Sequence, residues 1–132
     1  MFIKNLQLII PKEIESFPKL KGEGEPYHFL KWDNDQTTKE PILRYWFWNK
    51  TKTFKNRKTI YLKEFEKLLN NSIENSVITR KSFIDTCPRT SQPGPCGFAV
   101  IIAILTHLCV VIKEKPGMYS IKGKSRLLDI LN

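Results

Sequence analysis

The sequence predicts an α+β fold in two parts, a β-rich N-terminal portion over residues 1–58 and a helix-and-hairpin domain over residues 59–132. Three observations predict it. Tyr27–Trp32 and Ile42–Trp48 are aromatic, β-favouring runs, and the polar, turn-rich stretch Asp33–Pro41 between them signals an antiparallel hairpin with a long loop. Tyr61, Leu62, Phe65, Leu68 and Leu69 recur at helical spacing, with Lys63, Glu64, Glu66 and Lys67 on the opposite face. Residues 94–112 carry no charge in a lysine-rich chain, and they lead into a second hairpin pattern around Pro116-Gly117.

Taken in order, residues 3–10 alternate in the manner of a strand that Pro11 ends. Residues 11–26 are punctuated by Pro11, Pro18, Gly22, Gly24 and Pro26 and read as loop. After the first hairpin, residues 49–58 carry Lys50, Lys52, Lys55, Arg57 and Lys58 with no acid between them, and the domain boundary is placed near residue 58. A first helix spans Ile60–Asn70 and ends at Asn70-Asn71-Ser72. A short extended piece, Ser76–Ile78, precedes Thr79, whose hydroxyl suits the N-cap of a second helix. Phe83, Ile84 and Cys87 share a face of that helix until Pro88 stops it.

Residues 89–95 form a turn that cannot be helical throughout. A third helix follows over Cys96–Leu108. On it, Cys96, Ala99, Ala103, Thr106 and His107 form a small, weakly polar stripe, and Phe98, Ile101, Ile102, Leu105 and Leu108 occupy the rest. That pattern predicts a mostly buried helix with one accessible face. Val110–Lys113 and Met118–Ile121 are the arms of the second hairpin, and Leu127, Leu128 and Leu131 close the sequence as a helical turn.

Charge bounds the partners. Against 13 acidic residues stand 22 Lys and Arg, a formal net charge of +9, which attracts polyanions: nucleic acid or an anionic membrane face. The uncharged run falls short of the ~20 apolar residues of a membrane span and contains Pro95, Thr106 and His107, so no span is expected. Three cysteines, with no Cys-x-x-Cys pair, predict free thiols and an intracellular setting, cytoplasmic or in the nucleoid or nucleus. Cys87, Cys96, His107 and Cys109 match the spacing of no familiar zinc module, and no glycine loop for phosphate is present, so neither metal nor cofactor is expected.

The order helix, short strand, helix, turn, helix, hairpin over residues 60–122 resembles the winged-helix form of helix-turn-helix proteins. Val77–Ile84, the apolar helix, Val110–Ile112 and Gly117–Ile121 look like winged-helix segments near the C-termini of phage and plasmid primase-helicase proteins. The resemblance implies an accessory factor in replication, mobile-element biology or transcription that binds nucleic acid, DNA rather than RNA, chiefly through phosphates. Arg80, Lys81 and Arg89, with Thr90, Ser91 and Gln92, would grip the backbone near the third helix, and Lys113, Lys115, Lys122 and Lys124 would make the wing cationic. Lys52, Lys55, Arg57 and Lys58 would extend the track. Trp46 and Trp48 could in principle stack on exposed bases, but alternating aromatics in a hairpin are core more often than not, and core is the expectation for both. The third helix offers few polar groups to a major groove, which leaves open a winged helix that binds protein inside a larger assembly.

Ser91–Phe98 also resembles the nucleophile segment of papain-like and Ulp-like cysteine peptidases. That resemblance implies Cys96 as nucleophile at a helix N-terminus, Gln92 supporting the oxyanion, and a histidine base. His107 lies ~16 Å along the same helix at 1.5 Å rise per residue, which leaves His28, with Asp33 or Asn49 to orient it. The winged-helix expectation separates His28 from Cys96, and the peptidase expectation joins them.

Overall fold

Antiparallel pairing organises both halves of the chain, and the computed structural model describes residues 1–132 throughout. The first sheet has the order β1-β2-β3-β4, built from Ser16–Phe17, Tyr27–Asn34, Pro41–Trp48 and Lys55–Tyr61. The second has the order β5-β7-β6, built from Val77–Thr79 (β5), Val111–Lys115 (β6) and Met118–Ile121 (β7). Six helices accompany them: α1 (Phe2–Ile9), α2 (Leu62–Ser72), α3 (Arg80–Thr86), α4 (Pro88–Ser91), α5 (Cys96–His107) and α6 (Lys124–Leu131). The α+β class is as the sequence predicts.

The first segment is a helix, where the sequence reading expects a strand. Leu6, Leu8 and Ile10 would share one face of a strand, yet Leu8 is 63% exposed while Leu6 and Ile10 are buried. Phe2, Leu6 and Ile10 instead recur every four residues and face inward, and the Phe2 ring meets Phe65 edge-on at 5.1 Å. α1 packs against α6, so this periodicity is decided by a partner more than a hundred residues away.

The basic run is also not a linker. Asn49 accepts the backbone N–H groups of Thr53 (2.8 Å) and Phe54 (3.1 Å), folding residues 49–54 into a turn. Beyond it, β4 pairs with β3 in the register Trp48↔Lys55, Trp46↔Arg57, Tyr45↔Lys58 and Leu43↔Ile60. The strand runs through Tyr61, so α2 begins at Leu62 and not at Ile60. The boundary expected near residue 58 therefore falls within a strand.

Local signals in the second half are realised closely. Thr79 caps α3: its hydroxyl accepts the Ser82 N–H at 3.0 Å, and the Ser82 hydroxyl accepts the Thr79 N–H at 2.9 Å. Gly117, at φ +79, turns the β6–β7 hairpin, and its carbonyl accepts the Arg80 N–H at 2.9 Å. β5 lies beside β7 with Ile78 opposite Tyr119.

α5 is the centre of the molecule. Every residue from Gly97 to Leu105 is buried, each large apolar side chain contributing about 1.5–3 kcal/mol by its removal from water. Ala99 and Ala103, on the stripe expected to stay open, are 4% and 8% exposed. β1 and β4 pack against one side of α5, and α4 and β6 also pack against it. The N-terminal portion thus closes over the helix, with Lys19 and Leu20 beside both Ala99 and Ala103, and of the expected stripe Thr106 and His107 are exposed and Cys96 half-buried. Phe17, Tyr27, Leu43 and Tyr45 join Phe98, Ile102 and Leu105 in one continuous core. No helix is long and apolar enough to cross a membrane.

Candidate functional site

Three groups of residues carry the expectations drawn from sequence, and the fold treats them differently. The first lies before α5. Glu64, on α2 and 7% exposed, points its carboxylate at the start of α4. One oxygen accepts the Thr90 N–H (2.9 Å) and hydroxyl (2.7 Å), and the other accepts the Arg89 N–H (3.2 Å) and Nε–H (2.9 Å). The Arg89 guanidinium also grips Glu40 with two bonds and lies 4.1 Å from the Tyr61 ring centroid. Its clasp on Glu40 holds that carboxyl down at about 2. Arg89 and Thr90 are therefore committed to carboxylates and are not available to phosphates, contrary to expectation. Ser91 donates to the Pro88 carbonyl at 3.3 Å, and Gln92 is exposed.

The second group surrounds Cys96. Its sulfur lies at the N-terminal end of α5, 3.6 Å from Lys58 Nζ, which also donates to the Pro93 carbonyl at 3.1 Å. Tyr27 faces the same place from β2, and burial, then the neighbouring thiol, push its hydroxyl above the usual tyrosine range. Lys58 is thus half-buried and turned inward, which removes it from the expected cationic track. No imidazole completes this cluster. His28 follows Tyr27 in the strand and so points to the other face of the sheet, where it stacks on Trp46 at 4.4 Å. His107 hydrogen-bonds Glu13 at the far end of α5. His28 is not brought to Cys96, contrary to what the peptidase resemblance implies, and neither imidazole faces the thiol. The other two thiols are free as well: Cys87 is buried, and burial together with the Glu64 charge pushes it up to about 12, while Cys109 is exposed. No three His, Cys, Asp or Glu side chains are grouped to hold a metal ion.

The third group is cationic and open. Only Lys31, Arg44, Lys52, Lys81 and Arg89, of 22 basic side chains, are ion-paired to carboxylates. Lys52 pairs with Glu25 at 2.6 Å and Lys81 with Asp85 at 2.9 Å, both near the surface, where solvent makes such pairs weak and exchangeable. Arg80 lies over the Phe98 ring at 5.5 Å with its backbone tied to the hairpin tip. Lys113, Lys115, Lys122 and Lys124 are exposed and have no acidic partner. The one acid among them, Glu114, accepts the Ser120 hydroxyl at 2.6 Å.

On the outer face of the first sheet stand Trp46 and Trp48, partly exposed and outside the core cluster. Lys55 from β4 reaches over both, its ammonium 4.4 Å and 5.4 Å from their ring centroids. Arg57, paired in register with Trp46, is exposed and unpaired by any acid. The sequence reading favours the core for these indoles, and the structure places both outside it. The β3–β4 register decides the matter by turning Tyr45, Phe47 and Lys58 inward.

No protein-family model, no curated protein and no solved structure matches the chain. The reading of its function rests on the residues themselves.

Proposed function

We propose that the protein is a basic nucleic-acid-binding accessory factor that holds its ligand mainly through phosphate contacts. The observation that carries this is the β6–β7 hairpin and the residues just after it, with Lys113 and Lys115 on β6, Lys122 beyond β7 and Lys124 at the start of α6, all exposed and free of acidic partners. Unpaired surface cations are strongly hydrated and exchange counterions for phosphate at little cost, so they supply affinity without sequence preference. A winged-helix reading of residues 59–132 draws support from the order α2, β5, α3, α4, α5, β6, β7 and from the pairing of β5 with β7 beside β6. In that reading α5 takes the position of the helix that enters a major groove, but here it is sealed under the first sheet. The hairpin and the surrounding lysines then do the binding, and base reading by α5 is not part of the proposal. Free thiols fit an intracellular setting for such a factor.

The test is equilibrium binding of the purified chain to duplex and single-stranded oligonucleotides over a range of salt. Affinity should fall steeply and linearly on logarithmic axes as salt rises, with little dependence on sequence. Binding that is absent at low salt, or that does not change with salt, refutes the proposal.

A further inference from the structure

We infer that the outer face of β2, β3 and β4 is a stacking platform for single-stranded nucleic acid, an assignment that rests on the polyanion-binding function proposed above. Trp46 and Trp48 alternate along β3 and project from the same face, their ring centroids 5.5 Å apart and their planes at 89°. Neither joins the core. The third tryptophan, Trp32, does pack on it and donates its indole N–H to the Ile10 carbonyl at 3.2 Å. On the β2 side the His28 ring stacks on Trp46, and on the β4 side the flexible Lys55 chain lies over both indoles. Phe54, 57% exposed, stands in the β3–β4 turn.

The chemistry of the face selects its ligand. A lysine over a partly exposed indole contributes less than a base stacked there, and the displaced ammonium is then free to meet a phosphate. Arg57 lies on the same face and needs no carboxylate to be released. The acid on the neighbouring strand, Asp33, is already engaged by Lys31 and Arg44. Beside the His28–Trp46 stack, Glu15 and Ser16 border a cleft of about 420 Å³, which offers acceptors to base edges. In a duplex the π faces of the bases cover one another, so protruding indoles gain nothing from it. A single strand exposes those faces to successive aromatic rings.

The test uses the full chain, a short oligothymidylate and an abasic oligomer of the same length. Both probes offer the same phosphates, but only the first offers bases. Tryptophan emission should be quenched by the oligothymidylate, and its affinity should exceed that of the abasic oligomer by about tenfold or more, the gain of stacking at least one base. Trp48→Leu should abolish most of that preference, whereas Arg57→Gln should weaken both probes alike. Because Trp48 lies outside the core, an unchanged melting curve is expected for the variant. If Trp46→Leu were to fail to fold, the wild-type probe comparison and Trp48→Leu decide alone. Equal affinities without quenching would overturn the platform and leave phosphate binding standing. Loss of binding to both probes at low salt would overturn both. Quenching by anionic lipid vesicles with none by oligothymidylate would overturn the platform in favour of a membrane surface.

Discussion

Glu64 shows how single side chains set this structure. Its carboxylate is buried but accepts four hydrogen bonds from Arg89 and Thr90, so the charge is paid for locally by donors from α4. Glu64→Gln retains the shape but cannot accept all four bonds or pair with Arg89, and it should lower stability by about 3 kcal/mol in urea unfolding. Oligonucleotide affinity should be untouched, because Arg89 does not face the ligand. Glu40 extends the cluster and gives it a pH signature. Its folded value of about 2 lies below the ordinary glutamate value of 4.5, so its contribution is complete above 4.5 and is lost as pH falls toward 2. The melting temperature of Glu40→Gln, measured across that window, should fall less steeply with acid than that of the parent. The thiols give a third reading at this scale. Cys109 should react readily with a disulfide reagent, whereas Cys87, buried and pushed up to about 12, should react only after unfolding.

Among the elements, α5 has the least freedom. Gly97 lets it approach α4 so closely that an added Cβ would sit 2.9 Å from Thr90 Cγ2 and 3.3 Å from the Thr90 carbonyl. Gly97→Ala should therefore cost about 1–3 kcal/mol by overpacking, even though alanine is the better helix former. The β6–β7 hairpin has the opposite character, with a surface open to change. Replacing Lys113, Lys115, Lys122 and Lys124 with Gln should leave the melting temperature near its parent value, weaken binding to all sequences, and reduce the salt slope by about one for each lysine that meets a phosphate. The elements legible in the sequence were those stated by local chemistry: the Thr79 cap, the Pro116-Gly117 tip, the aromatic hairpin and the amphipathic α2. α1 and β4 were not legible. Both are defined by what they pack against, and a run of lysines hides the inward alternation of Asn56, Lys58 and Ile60.

At the scale of the whole molecule, one core crosses the boundary that composition suggests. The sequence shows that α5 is nearly apolar all round, which already implies cover on every side. It does not show that the cover comes from the N-terminal portion, because no local pattern records which distant segment lies beside Ala99 and Ala103. A fragment of residues 59–132 would leave that side of α5 bare, and it should lack a cooperative thermal transition by circular dichroism. The candidate site divides along the same line. Exposed lysines could be named from sequence, while the commitment of Arg89, Thr90 and Lys58 to internal partners could not.

The meeting of α1 with α6 has a consequence for how the chain acquires its structure. The Asn5 side chain donates to the Ile130 carbonyl at 2.8 Å, a contact that closes a loop of nearly the entire chain. The entropy of such a closure is offset only when the intervening strands and helices have already drawn the two segments near each other. The two helices should therefore dock last on refolding and open first under native conditions, exchanging their amide hydrogens as one cooperative unit ahead of α5.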